Sequence, residues 1–163
     1  MEFKDAVHTS MNTADFLVQA YLSDLTPQEM MARSTPDANH VAWQLGHLIA
    51  SERQLVEAGV PGSLPSLPAG FAERHTKDTA TSDNAADFLS KDEYFKIAKE
   101  VRAATLKVLD KLNGADFDKP VTGKVPPFVK RVGDCFLTVG SHWTMHTGQW
   151  VVLRRKLGRP RMF

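Results

Sequence analysis

Residues 134–157 read DCFLTVGSHWTMHTGQWVVLRRKL, and their apolar positions recur every three or four residues. This is the spacing of a helix that buries one face. Three basic residues fill the last turn, and Gly158 and Pro160 follow, as is usual where a helix ends. The segment therefore predicts a long amphipathic helix whose buried face includes His142 and His146.

Three further segments show the same helical spacing. They predict a first helix over residues 3–25, a second over about residues 38–58, and a third from the capping box at residues 90–93 to about residue 113. A second capping box at residues 26–29 (TPQE) predicts a short helical turn after the first helix. Because no segment alternates with the period of a strand, the chain is predicted to be an all-α four-helix bundle.

Long connections separate the second helix from the third and the third from the fourth. Residues 59–84 and residues 116–132 each contain three prolines, and both are predicted to be loops over the surface. Loops of this length are often functional. The whole chain, residues 1–163, is expected to form one domain.

The composition excludes several classes of protein. The chain has 20 Lys and Arg against 19 Asp and Glu, so it lacks the excess charge that would attract nucleic acid or an anionic membrane. No apolar run is long enough to span a bilayer. The single cysteine, Cys135, cannot form an intrachain disulfide and lies at a core position. We expect a soluble, cytoplasmic protein without nucleic-acid or membrane partners.

Three histidines occupy positions that suit a metal site. His142 and His146 are four residues apart on one helix face, with Cβ atoms roughly 5–6 Å apart. His47 lies beside the apolar face of the second helix. If the second and fourth helices pack side by side, the three imidazoles converge inside the bundle, where bundle proteins build metal sites. The alternative is that they are partly buried histidines hydrogen-bonded to their neighbours.

Glycines inside the predicted helices are a second indication of a site. Gly46, Gly140 and Gly148 each lie within two residues of one of these histidines, and each costs about 1 kcal/mol relative to alanine. They either allow a ligand or a backbone to come close, or mark tight helix crossings. Surface or capping roles are predicted for the remaining histidines: His8, His40 and His75.

Two blocks of the sequence resemble the DinB (damage-inducible) superfamily: residues 43–52, WQLGHLIASE, and residues 142–149, HWTMHTGQ. The resemblance implies an up-down-down-up bundle with a long crossover, and a divalent metal held by His47, His142 and His146. It also implies a homodimer. The characterised relatives are mycothiol-dependent maleylpyruvate isomerases and bacillithiol or glutathione S-transferases.

Three imidazoles leave the fourth coordination position of a metal open, as in catalytic sites. Imidazole ligands suit zinc, nickel, copper or iron, and we favour zinc or nickel. With the resemblance, this predicts a thiol-dependent S-transferase or isomerase that acts on a small electrophile, with a low-molecular-weight thiol as cofactor. The alternatives are a non-catalytic, stress-related bundle that binds a metal or ligand, and a metal-dependent hydrolase.

No independent acid or base stands out in the sequence. Gln44, Ser51 and Gln149 are close enough in helical register to orient an imidazole by hydrogen bonding. They are equally well explained as polar residues at the edge of the bundle.

Overall fold

The computed structural model describes residues 1–162, in which helices form a bundle without β-strands. Four helices are long: α1 Phe3–Leu22, α3 Val41–Gly59, α4 Lys91–Lys111 and α6 Val132–Lys156. Two consist of a single turn: α2 Pro27–Met30 and α5 Gly114–Phe117. The predicted all-α four-helix bundle is confirmed. Across the described residues no helix is both long and apolar enough to cross a membrane.

Contacts at the helix ends give the direction of α4 and α6 relative to α1. Arg154, near the end of α6, donates a hydrogen bond to the Tyr21 carbonyl near the end of α1, at 2.8 Å. Lys91, at the start of α4, donates to the Ser23 carbonyl just beyond the end of α1. Hence α6 runs parallel to α1, and α4 runs antiparallel to it.

The remaining long helix, α3, runs antiparallel to α6. Gln44, near the start of α3, contacts Trp150 in the second half of α6, whereas Gly59 at the end of α3 lies beside Cys135 at the start of α6. The order of directions is therefore up-down-down-up, as the family resemblance implies. Because the consecutive helices α3 and α4 are parallel, residues 60–90 must cross the length of the bundle.

Apolar side chains from all four long helices fill the core. Helix α6 packs between α1 and α3, and α4 packs mainly on α3, while α1 and α4 touch only briefly. Cys135 is fully buried there, in the packing role predicted for it. The largest fully buried side chains include Met11, Leu45, Tyr94, Phe136 and Trp150.

The crossover, residues 60–90, differs from the predicted surface loop. It contains three single turns of 3-10 helix, Glu73–His75, Lys77–Thr79 and Ala85–Asp87. It also buries Leu64 and Phe71 against the helices. The prediction of a loop that only covers the surface is wrong, because part of the segment belongs to the core.

Candidate metal centre

His47 on α3 and His142 and His146 on α6 lie together between the two helices. One ligand nitrogen from each lies within 4.8 Å of the other two, and the ring centroids are 5.0–5.7 Å apart. No Asp, Glu or Cys of residues 1–162 joins this cluster. A group of three imidazoles at this spacing can hold one metal ion.

Gln44 determines which nitrogen of His146 carries the proton. Gln44 Oε1 accepts a hydrogen bond from Trp150 Nε1 at 2.8 Å, and an indole N–H can only donate. The same oxygen lies 3.0 Å from His146 Nδ1, so Nδ1 must be the donor. The Gln44 amide nitrogen donates to the Asn39 carbonyl, which fixes the orientation of the amide. His146 Nε2 therefore keeps its lone pair, the form that binds a metal.

Trp43 positions His47 and links it to the crossover. The Trp43 and His47 rings stack with centroids 4.9 Å apart and an angle of 8° between their planes. The Trp43 indole donates to the Thr76 carbonyl at 3.1 Å and to Thr79 Oγ1 at 3.2 Å. These hydrogen bonds to the crossover fix the position of the Trp43 ring that stacks on His47.

The three imidazoles are neutral near pH 7. Burial lowers the pKa of His47 below its ordinary value. Burial, together with the neighbouring His47, lowers the pKa of His142 to about 4. Burial and the other two histidines lower the pKa of His146 to about 3. Because only neutral imidazole binds a metal, the cluster does not need to lose protons before it can act as a ligand set.

Two clefts meet at His47. One has a volume of about 1050 Å³, lies between α3 and the crossover, and reaches His146. The other has a volume of about 620 Å³ and reaches His142. Both volumes suit the binding of small molecules. The histidine cluster is therefore accessible from two sides.

The sequence matches the profile of the DinB superfamily over residues 16–150, a span that includes all three histidines. The chain belongs to the DinB superfamily. A comparison with curated proteins found no match to the chain. Membership in the DinB superfamily agrees with the helical bundle, whereas the activity of this member depends on the chemistry of its own site.

Only one of the three residues predicted to orient an imidazole forms a hydrogen bond with a histidine in the described part of this DinB domain. That residue is Gln44. Ser51 lines both clefts beside His47 without a hydrogen bond to it. Gln149 is half-buried and makes no hydrogen bond to a histidine within the described chain. A role for Ser51 or Gln149 at the metal centre stays a prediction.

A buried ion pair next to the histidine cluster was not predicted from the sequence. Arg102 of α4 donates to both carboxylate oxygens of Glu52 on α3, at 2.9 and 2.8 Å. Glu52 also accepts a hydrogen bond from the indole of Trp143, the residue after His142, at 2.8 Å. Burial opposes the charge of Arg102, but the attraction and hydrogen bonds of Glu52, together with the attraction of Asp15, outweigh it and raise the guanidinium pKa. The pair joins α3, α4 and α6 next to the histidines.

His75 is buried, so its predicted surface or capping role is wrong. Its Nδ1 donates to the Phe71 carbonyl at 2.7 Å, and its Nε2 accepts from the Tyr94 hydroxyl at 2.7 Å. Burial lowers the pKa of His75 to about 4. The other two predictions agree with the structure, since His40 caps α3 and His8 lies half-exposed beside Asp110.

The glycines near the histidines have different roles. The space above Gly46 is filled by the His75 ring, and the space above Gly140 by Ser10 of α1. Gly148 faces open space. The absence of a side chain at Gly46 therefore makes room for His75 of the crossover. At Gly140 it allows α1 and α6 to pack closely where Ser10 lies.

Proposed function

We propose that this protein is a metal-dependent enzyme that adds a low-molecular-weight thiol to a small electrophile, as an S-transferase or an isomerase. Zinc or nickel, held by His47, His142 and His146, is the proposed cofactor. The observation that carries the proposal is a three-histidine cluster that opens into two clefts. We also propose the cytoplasm as its location, from the composition.

Each residue of the site has a defined part in this proposal. The three neutral imidazoles supply three of four coordination positions, and no described carboxylate or cysteine supplies the fourth. Because Gln44 accepts a hydrogen bond from His146 Nδ1, His146 Nε2 is unprotonated and free to bind the metal. A bound divalent cation would supply the Lewis acidity that lowers the pKa of a coordinated thiol. In the transfer a sulfur–carbon bond forms, the S–H bond and the bond from carbon to the leaving group break, and the proton departs with that group. In the isomerisation the thiol adds to a double bond and is eliminated again unchanged.

The chemical difference between the two clefts supports a reaction between two molecules. The larger cleft carries three cationic side chains, Arg53, Lys77 and Lys124, against one carboxylate, that of Glu57. The smaller one carries the apolar side chains of Leu55, Phe128 and Met145. Hydrolysis requires one organic substrate and water, so a second cleft of different character favours transfer.

The quaternary structure proposed from the family resemblance is a homodimer. Two exposed apolar side chains on α6, Leu137 and Val152, support it because a second copy would cover them. Light scattering coupled to size exclusion tests this, with a molar mass of one chain as the contrary result.

Metal analysis of untagged protein is the first test of the function. We expect about one divalent ion per chain, lost in His142→Ala and retained in His8→Ala, a histidine outside the cluster. Turnover is then measured with glutathione, bacillithiol and mycothiol against maleylpyruvate and an aryl halide. Turnover that requires both metal and thiol supports the proposal. Turnover without thiol indicates a hydrolase, and metal-loaded protein inert with every pair indicates a binding bundle.

A further inference from the structure

Another cavity, separate from the two clefts at the histidines, lies on the opposite side of the bundle. It has a volume of about 580 Å³ and follows the seam where α1 and α4 touch only briefly. Its floor is formed by Leu45 of α3 and Trp143 of α6, both core residues. The cavity therefore opens at the surface and penetrates to the centre of the bundle, without reaching the three histidines.

The walls of this seam cavity are mainly apolar. Val18 of α1 faces Phe95, Ala98 and Leu106 of α4 across the opening. Ala98 has a small side chain, which leaves the seam wider than a leucine there would. The volume lies within the range of about 300–1,000 Å³ found for small-ligand sites. An alkyl chain or an aromatic ring is the kind of group that these walls would bury favourably.

Charge is distributed unevenly around the opening. Lys96 and Lys99 line one end and make no ion pair or hydrogen bond with the described residues. Arg102, in contrast, already donates to Glu52 and to Asp15. Asp15 is the acidic residue of the lining, and its pairing with Arg102 at 2.9 Å reduces its repulsion of an anion. The unpaired charge at the mouth is therefore positive.

We propose that the seam cavity binds an amphipathic monocarboxylate of medium chain length. The alkyl chain would lie between α1 and α4 with its end toward Trp143, and the carboxylate would lie at Lys96 and Lys99. Charge complementarity at the mouth and the mainly apolar walls carry this assignment, and the Arg102 guanidinium near Trp143 is already paired with Glu52 and Asp15. It does not depend on the proposed enzymatic function, because the cavity is separated from the histidines by the core.

Calorimetric titration with octanoate, 1-octanol and octylamine tests the assignment. We expect octanoate to bind one to one and at least about tenfold more tightly than octylamine. Replacing both lysines (Lys96→Gln with Lys99→Gln) should weaken octanoate about fivefold or more and leave 1-octanol unchanged. Lys107→Gln, an exposed lysine of α4 outside the lining, is the matched control and should change neither.

A second variant and a spectroscopic readout locate the ligand. Ala98→Trp fills the cavity and should abolish binding of octanoate and 1-octanol, with the fold checked by circular dichroism. In nitrogen–proton spectra the indole signal of Trp143 should shift on titration, and that of Trp43 beside His47 should not.

Several results would overturn the proposal. They are binding of octylamine as tight as that of octanoate, a shift of the Trp43 signal in place of the Trp143 signal, and undiminished binding by a folded Ala98→Trp variant. If the protein binds no octanoate and the Ala98→Trp variant is monomeric where the original protein is a dimer, a second copy of the chain occupies the seam.

Discussion

Gln44 and His146 share a hydrogen bond that joins α3 to α6 at the candidate metal centre, with Gln44 Oε1 3.0 Å from His146 Nδ1. The indole of Trp150 donates to the same oxygen, so the amide cannot be reversed without losing both contacts. One uncharged side chain thus sets the tautomer of a proposed metal ligand.

Loss of this contact should weaken metal binding. Gln44→Leu removes the acceptor, and we expect the affinity for a divalent metal to fall about 10- to 100-fold, the usual effect of losing a partner that orients a ligand. Competition with a chromophoric chelator measures it. Gln28→Leu is the control, because Gln28 is exposed on α2 and its side chain makes no hydrogen bond to a histidine of the described chain. Equal losses in both variants would mean that the hydrogen bond has no specific effect.

The stability of the metal-free protein should decrease between pH 6.5 and about pH 4.5. The folded state keeps several histidines neutral, and the pKa values of His75, His142 and His146 are lowered to about 4, 4 and 3. The unfolded chain binds protons near pH 6.5, so acidification favours unfolding. We expect Tm to fall by about 5 °C or more. Scanning calorimetry in the presence of a chelator tests this. A Tm that does not change with pH would contradict the burial of these histidines in their neutral form.

The buried carboxylate of Glu52 should be important for stability. Glu52→Gln leaves the guanidinium of Arg102 buried without its main counter-charge, and we expect a loss of about 3 kcal/mol in the free energy of unfolding. Urea denaturation measures it. Glu100→Gln, at an exposed position on α4, is the matched control and should change the free energy by less than about 0.5 kcal/mol. Similar values for both variants would show that the pair does not stabilise the bundle.

Two glycines of the helices should respond to alanine in opposite directions. At Gly46 an added Cβ overlaps the His75 ring, so Gly46→Ala should destabilise the fold by about 1–3 kcal/mol. At Gly148 nothing lies in the way, so Gly148→Ala should stabilise α6 by up to about 1 kcal/mol. Thermal denaturation of the two variants checks this. Combining Gly46→Ala with His75→Ala should cost less than the sum of the single changes.

The long helices could be predicted from the sequence because each buries one apolar face. Their ends could not all be predicted. Helix α1 ends at Leu22, and α3 begins at Val41, later than expected. The start of α3 depends on His40, whose Nδ1 accepts a hydrogen bond from the Trp43 amide at 3.1 Å, and histidine is not among the usual capping residues.

The histidine cluster could be anticipated because its members lie on helix faces that had to meet. The supporting contacts could not, since they depend on tertiary structure. His75 stands in a polar segment, and the Tyr94 hydroxyl that bonds its Nε2 in the core belongs to a residue 19 positions later. Glu52 and Arg102 are 50 residues apart, and charges inside helices are usually exposed. Gly46, for which the sequence left a close approach and a tight helix crossing open, was a local sign that another group packs there.

The parallel packing of α1 on α6 has a consequence for biosynthesis. Tyr21 and Arg154, which meet across this interface, are 133 residues apart in the chain. During translation the apolar face of α1 therefore remains uncovered until α6 leaves the ribosome, and two of the three clustered histidines emerge only then. The bundle and its histidine cluster must be completed together, late in synthesis, and the nascent chain is exposed to aggregation until that point.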